Sequence, residues 1–330
     1  DEEHLWETYD HKARRAINRR RPRTGKLAHV RPMPTVQVRT TKEILETLRC
    51  GNGKRVENNH SVLCSKAIVL PEIDLPIDPY VLGAWLGDGT SASSSFTSAD
   101  PEIFEYFKDA GILAHKRASK YSYGLDKLPV QRSLTTGRML ANDSLHSKLK
   151  ANNLLNNKHI PVQYLRGSIE QRLALLQGLM DTDGTITSEG NCAFDNCNKS
   201  IADGVEELLV SLGQQVRRST RYPKCNGVVG QLSYRLNFTP TIKVFKLSRK
   251  LSKQKHSIRT TQFHRYIVDI TPVESVPVCC IGVDNQDHMY LAGRSFIPTH
   301  NTATGLIEDL HKSVQSTALD TLVICPADVQ

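Results

Sequence analysis

Apolar positions follow two rhythms along the chain. Over residues 1–75 they come in short strand-like runs with one helical break. Thr40 and Thr41 precede an amphipathic stretch over 42–48 that ends near Gly51. Residues 61–70 then read as a strand, closed by Pro71. Over 78–265 the rhythm turns helical and recurs. Asp78 and Pro79 stand as N-cap and first helical residue of a short apolar helix over 80–86, which runs into Gly87-Asp88-Gly89-Thr90. A strand around Phe96 follows, then a helix over 101–110 stopped by Gly111. Ser168 and Gln171, spaced as a capping box, open a second copy whose helix over 172–180 ends in Asp181-Thr182-Asp183-Gly184-Thr185. A strand around Phe194 and a helix over 201–212, stopped by Gly213, complete it. The same order recurring about 95 residues apart predicts a pseudo-twofold domain.

Beyond residue 265 the strand rhythm returns, over 266–270 and 276–283. From Thr302 the character changes again. A helical stretch over 303–314 leads to a wholly apolar run over 321–325 stopped by Pro326, which reads as a buried parallel strand of an α/β nucleotide-binding domain.

Charge adds a partner. The formal net charge is +9, and the basic residues cluster: nine Lys or Arg and no acid over 11–31, eight and no acid over 241–265. Such clusters favour a polyanion through phosphate contacts and counterion release. No apolar run approaches the length of a membrane span. No signal-peptide pattern opens the chain, and no pair among the eight cysteines has zinc-ribbon spacing, so a reduced cytoplasmic protein is expected.

Asp88 and Asp183 each end a short apolar helix that contains a glycine, Gly83 or Gly178. Glycine at these places lets two helix backbones approach closely, which would bring both carboxylates to one point. Two carboxylates so placed repel unless a hard cation such as Mg²⁺ sits between them, and metal held on a basic surface can run phosphodiester hydrolysis. One helix-Asp-Gly alone is usually a helix stop; two copies in a tandem repeat reverse that weighting. The stretches Val81-Leu-Gly-Ala-Trp-Leu-Gly-Asp-Gly89 and Leu176-Gln-Gly-Leu-Met-Asp-Thr-Asp-Gly184 resemble the paired motifs of the LAGLIDADG homing endonucleases. The resemblance implies that Asp88 and Asp183 bind the metal, that Leu86 departs from the motif's other Asp, and that one chain with both copies acts as a monomer on double-stranded DNA. Lys158 in Lys158-His-Ile-Pro161 matches a family lysine that helps activate water. Its symmetry partner is sought among Lys243, Lys246, Lys253 and Lys255, with Lys253 most similar in spacing.

The stretch over 278–301 places His300 before Asn301 and a hydroxyl, Thr302, after it. An asparagine amide can attack its own carbonyl and cleave the chain, a neighbouring imidazole can move the proton, and Thr302 can take an acyl group. His288, His300, Asn301 and Thr302 resemble the C-terminal splicing blocks of inteins, and Asp1-Glu-Glu-His4-Leu-Trp6 resembles the block with the N-junction histidine. That implies that His4 polarises the upstream scissile amide. Trp6, Cys280 and Thr302 look like the signature of class 3 inteins, in which an internal cysteine attacks the N-terminal junction directly; Cys279 is the competing assignment. The first intein block would lie upstream of Asp1, so this segment by itself is not expected to splice.

Thr302-Ala-Thr-Gly-Leu-Ile and Leu322-Val-Ile-Cys-Pro326 resemble the start of a Swi/Snf-type helicase-like ATPase, with Thr302 doubling as the P-loop threonine for Mg²⁺ and ATP. The expected fold class is α+β. A discontinuous all-β Hint (hedgehog/intein) splicing domain occupies 1–76 and 266–301, a two-repeat LAGLIDADG endonuclease 77–265, and the first piece of a RecA-like ATPase 302–330. The endonuclease would need Mg²⁺ and splicing no cofactor; the flanking host segments would be partners in cis. Two rivals are a DNA-binding module whose nuclease has decayed and a helicase with an ordinary insertion.

Overall fold

The computed structural model describes residues 2–19, 36–51, 55–127, 135, 144–225, 228–255, 260–274 and 283–300. The chain divides into two compact units, one formed by Asp1–Lys66 with Ile258–Gln330, the other by Ala67–Ser257. The expected strand over 276–283 and the whole ATPase segment 302–330 fall almost entirely outside the described residues.

The first unit is built from short antiparallel ladders. Leu5–Thr8 pairs with Gln37–Thr40, Ser61–Leu63 with His264–Tyr266, and Met289–Ala292 with Ile297–His300. Helix α1 (His11–Arg19) follows the first strand, and α2 (Thr41–Glu46) follows the second. The Thr40 side chain and Glu43 close a reciprocal capping box at α2, the helix expected there. Two expected strands are shorter than the apolar pattern suggested: 61–70 is ladder only over Ser61–Leu63, and 266–270 gives way to His264–Tyr266. Apolar pattern alone does not supply a partner for the backbone, and these ladders end where the partner does. Arg14 of α1 is buried and holds this unit together, donating to the carbonyls of Tyr9, Asn59 and Asn58.

The second unit contains α3 (Pro79–Asp88), α4 (Glu102–Asp109), α5 (Leu145–Ala151), α6 (Val162–Leu165), α7 (Ile169–Thr182), α8 (Lys199–Ser211) and α9 (Ser248–Leu251). Its two copies each carry a sheet: Ser95–Thr97, Ser122–Lys127 and Ile112–Lys116 in the first, and four strands in the order Val216–Arg221, Ser233–Phe238, Cys192–Asn196, Gly184–Ile186 in the second. The capping signals act as read. Asp78 accepts from the Val81 amide ahead of Pro79, and Ser168 and Gln171 form the reciprocal box at α7. Gly111 and Gly213 take φ of +75° and +72° just past α4 and α8, where the chain turns left-handed.

Helix α3 is buried at every residue from Tyr80 to Leu86, which is why its sequence has no polar face. It lies against α7 through the two glycines. A Cβ on Gly83 would stand 2.2 Å from the Leu175 carbonyl oxygen, and one on Gly178 would stand 2.2 Å from that of Tyr80. Backbone therefore meets backbone, and only glycine leaves room for it. Arg172 of α7 is fully buried and donates to the carbonyls of Gly167, Ser211 and Ile68.

Candidate nuclease and splicing sites

Because α3 and α7 touch along their backbones, their C-terminal ends emerge side by side. A Cβ on Gly87 would lie 2.1 Å from Thr182 Oγ1 and 3.5 Å from the Asp183 carboxyl carbon. Asp88 closes α3 and Asp183 caps α7, so the two carboxylates flank one point. Asp183 is the more enclosed. Burial first, and then the Asp88 charge, push its carboxyl up to about 6, while Asn196 donates to it at 3.0 Å. Asp88 is also pushed up by burial, against the pull of Lys250 and Lys158.

Each carboxylate has a lysine at its side. Lys158 Nζ donates to the carbonyls of Leu86, Gly87 and Gly89 at 3.0, 3.2 and 2.6 Å. Lys250 Nζ donates to the equivalent carbonyls of Asp181, Thr182 and Gly184 at 2.8, 3.3 and 2.6 Å, and to Met180 as well. Both ammonium groups are lowered to about 8, chiefly by burial, with the two aspartates opposing the fall. Lys250 therefore takes the place expected of Lys253, which is exposed in the turn after α9. The reason is a spacing difference: Lys158 lies 71 residues after Gly87, whereas Lys250 lies 68 after Thr182. The second copy is three residues shorter over this stretch, so a fixed offset points to the wrong lysine. Lys246, another of the four considered, lays its ammonium over the rings of Tyr80 and Tyr106.

The motif's extra acid, Asp181, is not at the carboxylate pair. It is 3% exposed and accepts from Tyr80 Oη and from the amides of Lys246 and Leu247. Asp88 and Asp183 thus form a two-acid site, and among the described residues no third His, Cys, Asp or Glu joins them in a metal-sized group. This donor set fits Mg²⁺, which is commonly held by one or two carboxylates and completes its shell with water and substrate phosphate.

The sheet of the second copy presents cations. Leu236 and Phe238 face the core, so the register puts Arg235 and Asn237 on the other face, beside Ser219 and Arg217 of the edge strand. Arg235 and Arg221 both pair with Asp195, at 3.0 and 2.9 Å, and Arg217 and Arg221 are exposed. The basic-cluster count did not single these arginines out, because alternation with core residues spreads them along two strands. That alternation was the available signal.

In the first unit, His4, Trp6, Thr299 and His300 converge. His4 Nε2 lies 2.6 Å from Thr299 Oγ1, and its ring meets Trp6 edge-on at 4.8 Å. Trp6 Nε1 donates to Thr41 Oγ1 at 3.0 Å, and Thr41 donates its amide to the His4 carbonyl. The His4 imidazole is lowered in pKa, first by burial, with His300 among the charges that add to it. His300 Nε2 is buried without a hydrogen-bond partner among the described residues, 3.9 Å from Glu7. His288 stands apart: it is exposed on the turn before Met289, with φ of +54°. Cys279, Cys280, Asn301 and Thr302 lie outside the described residues.

A family described as LAGLIDADG-like domain matches residues 170–244, which lie in the second copy of the repeat. A replicative DNA helicase DnaB of Mycobacterium intracellulare is 41% identical over 272 residues, 82% of this chain and 42% of that protein. The homothallic switching endonuclease of Saccharomyces cerevisiae (strain ATCC 204508 / S288c) is 27% identical over 165 residues, 43% of this chain and 28% of that protein. The chain thus spans less than half the length of these relatives. A crystal structure of I-DmoI in complex with DNA and Mn overlaps 49% of this chain and 89% of its own, at 16% identity and a TM-score of 0.30.

Proposed function

We propose that residues 67–257 are a homing endonuclease that cuts both strands of a DNA duplex, carried inside an intein whose splicing machinery lies in the first unit. The observation that carries the nuclease reading is the duplication at the α3–α7 crossing: a carboxylate at each helix end, and beside each a lysine held on three equivalent carbonyls. The LAGLIDADG-like match over the second copy and the relative named an endonuclease support it.

Asp88 and Asp183 would hold Mg²⁺. When bound, the metal supplies charge stabilisation for phosphodiester cleavage. The chain's own residues do the rest. The arginine face of the second sheet binds phosphates and sets register. Lys158 and Lys250, lowered to about 8, exchange a proton with water near neutral pH and present a cation to the phosphate when charged. A cleavage assay on a duplex carrying the uninterrupted insertion site tests this: both strands are cut with Mg²⁺, and Asp88→Asn or Asp183→Asn abolishes cutting. Binding with no cutting by the parent under any divalent cation would leave the decayed-nuclease reading.

The splicing reading rests on the His4–Trp6–Thr299–His300 cluster and on the junction sequence. On this reading His4, hydrogen-bonded with Thr299 and lowered in pKa by burial, polarises an upstream amide. Cys280 is assigned as the internal nucleophile, Asn301 as the residue that cyclises, and Thr302 as the acyl acceptor. Intact mass of a complete precursor tests it: ligated host appears in the parent and is lost in Cys280→Ala and in Asn301→Ala. Splicing that survives Cys280→Ala moves the nucleophile to Cys279 or to an upstream residue.

The host is proposed as a helicase-type ATPase that is inactive until spliced, when it would bind ATP and Mg²⁺. A match over 272 residues lies overwhelmingly before Thr302, so the likeness to the DnaB relative belongs to the inserted part. The Swi/Snf-type assignment of 302–330 rests on its sequence alone. Sequencing the host gene on both sides of the insertion decides between these helicase classes.

A further inference from the structure

We propose that Asp181 is a positioning residue for Lys250, so that one half of the nuclease centre depends on a carboxylate that the other half lacks. The inference rests on the nuclease reading above. Helix α9, which carries Lys250, has only four residues and no side-chain cap from its own N-cap, Leu247. So short a helix has no stability of its own. Its leading amides are taken instead by two distant carboxylates: Asp181 accepts from Lys246 and Leu247 at 3.1 and 3.2 Å, and Glu102 accepts from Ser248 at 3.0 Å. Tyr80 Oη completes the Asp181 shell at 2.8 Å, and Tyr106 Oη holds the Lys246 carbonyl at 3.0 Å. Every oxygen of Asp181 is thereby committed to the segment that delivers Lys250 or to the helix α3 behind it.

The first half is fixed differently. The position equivalent to Asp181 is Leu86, buried in the core. Lys158 sits in an extended segment, pinned by the Asn198 side chain on its carbonyl at 2.7 Å and by Ile160 packed over Gly204. A neutral amide side chain and apolar packing there do what hydrogen bonds to a carboxylate do in the second half. Because a reacting group moved by about 1 Å can lose roughly 100-fold in rate, removing the Asp181 charge should disable one half alone.

The experiment uses the whole chain with Asp181→Asn, Asp181→Glu and the parent, on a duplex labelled separately on each strand. In Asp181→Asn one strand is expected to be cut roughly 10–100-fold more slowly and the other within about twofold of the parent, so nicked duplex accumulates. Asp181→Glu is expected to recover part of the lost rate. A second readout needs no metal and no cleavage: lysine acetylation mapped by mass spectrometry, where Lys250 should react roughly tenfold faster in Asp181→Asn while Lys158 keeps the parent's rate. Equal loss on both strands, or Lys250 no more reactive than in the parent, overturns the proposal. A parent that cuts neither strand overturns the nuclease reading, and the acetylation result then still decides whether Asp181 positions Lys250.

Discussion

Replacing Asp183 by Asn should make the metal-free protein more stable at neutral pH while removing its response to divalent cation. The Asp183 carboxyl is pushed up to about 6 from 3.8, by burial and then by Asp88. At 1.36 kcal/mol per unit that is about 3 kcal/mol of unfavourable charge. The sign follows from proton binding. The folded chain holds this proton more tightly than the unfolded chain, so the group's contribution to stability is full below its unfolded value. It is lost as pH rises through the window that ends near 6. Asparagine keeps an acceptor for Asn196 and removes the charge. Discounted for solvent around the helix ends, the gain at pH 7.5 should be roughly 1–2 kcal/mol, or some 2–8 °C in Tm for a unit of this size. Thermal unfolding in chelator at pH 4.5 and 7.5 reads it: the variant should melt above the parent at pH 7.5, and the gap should shrink at pH 4.5. Added Mg²⁺ should then stabilise the parent by about 2.7 kcal/mol at one hundred times its Kd, raising its Tm, and leave the variant's Tm unchanged. A variant no more stable than the parent at pH 7.5, or a gap equal at both pH values, would refute the idea that the paired carboxylates carry this strain.

Gly83→Ala and Gly178→Ala should each destabilise by roughly 3 kcal/mol or more, because the added Cβ would stand 2.2 Å from a backbone oxygen of the facing helix; urea unfolding measures it, and a loss below ~1 kcal/mol would show that the helices can separate freely. Arg172→Met should cost about 3–5 kcal/mol in the same assay, since the carbonyls of Gly167, Ser211 and Ile68 would be left buried without their donor. The cleavage rate with saturating Mg²⁺ should climb as pH rises through about 8, where Lys158 and Lys250 lose their protons, and level off above it; a rate that falls over that range would make the charged lysines the working form. In a complete precursor, Thr299→Val should slow cleavage at the N-terminal junction by roughly tenfold, as expected for loss of one hydrogen bond that orients His4; an unchanged rate would free His4 from that partner.

Local chemistry was legible where the sequence carries its own partner. Asp78 before Pro79, Ser168 with Gln171, and Thr40 ahead of α2 all cap their helices, because a cap needs only residues a few positions apart. The repeat and its two glycines were legible for a similar reason: a helix apolar on every face has to be buried, and a glycine in it has to be approached closely. The carboxylates Asp88 and Asp183 followed from that crossing.

What the sequence could not decide was which distant residue fills a given place. Lys250 and Lys253 are the same residue type three apart, and only the path of the chain after the second copy's sheet puts one on the carbonyls at the end of α7 and the other in solvent. Asp181 is the motif's other acid, to which sequence reasoning assigned no task; the fold turns it inward to hold two amides 65 and 66 residues away. His288 and His300 read alike beside the splice junction, yet one is exposed on a turn and the other buries its Nε2. Short-range hydrogen bonding and apolar periodicity are written in neighbouring residues. The assignment of a lysine or a carboxylate to the nuclease site depends on the long-range packing of α3 against α7 on their glycines, and that of an imidazole on the strand pairing of the first unit.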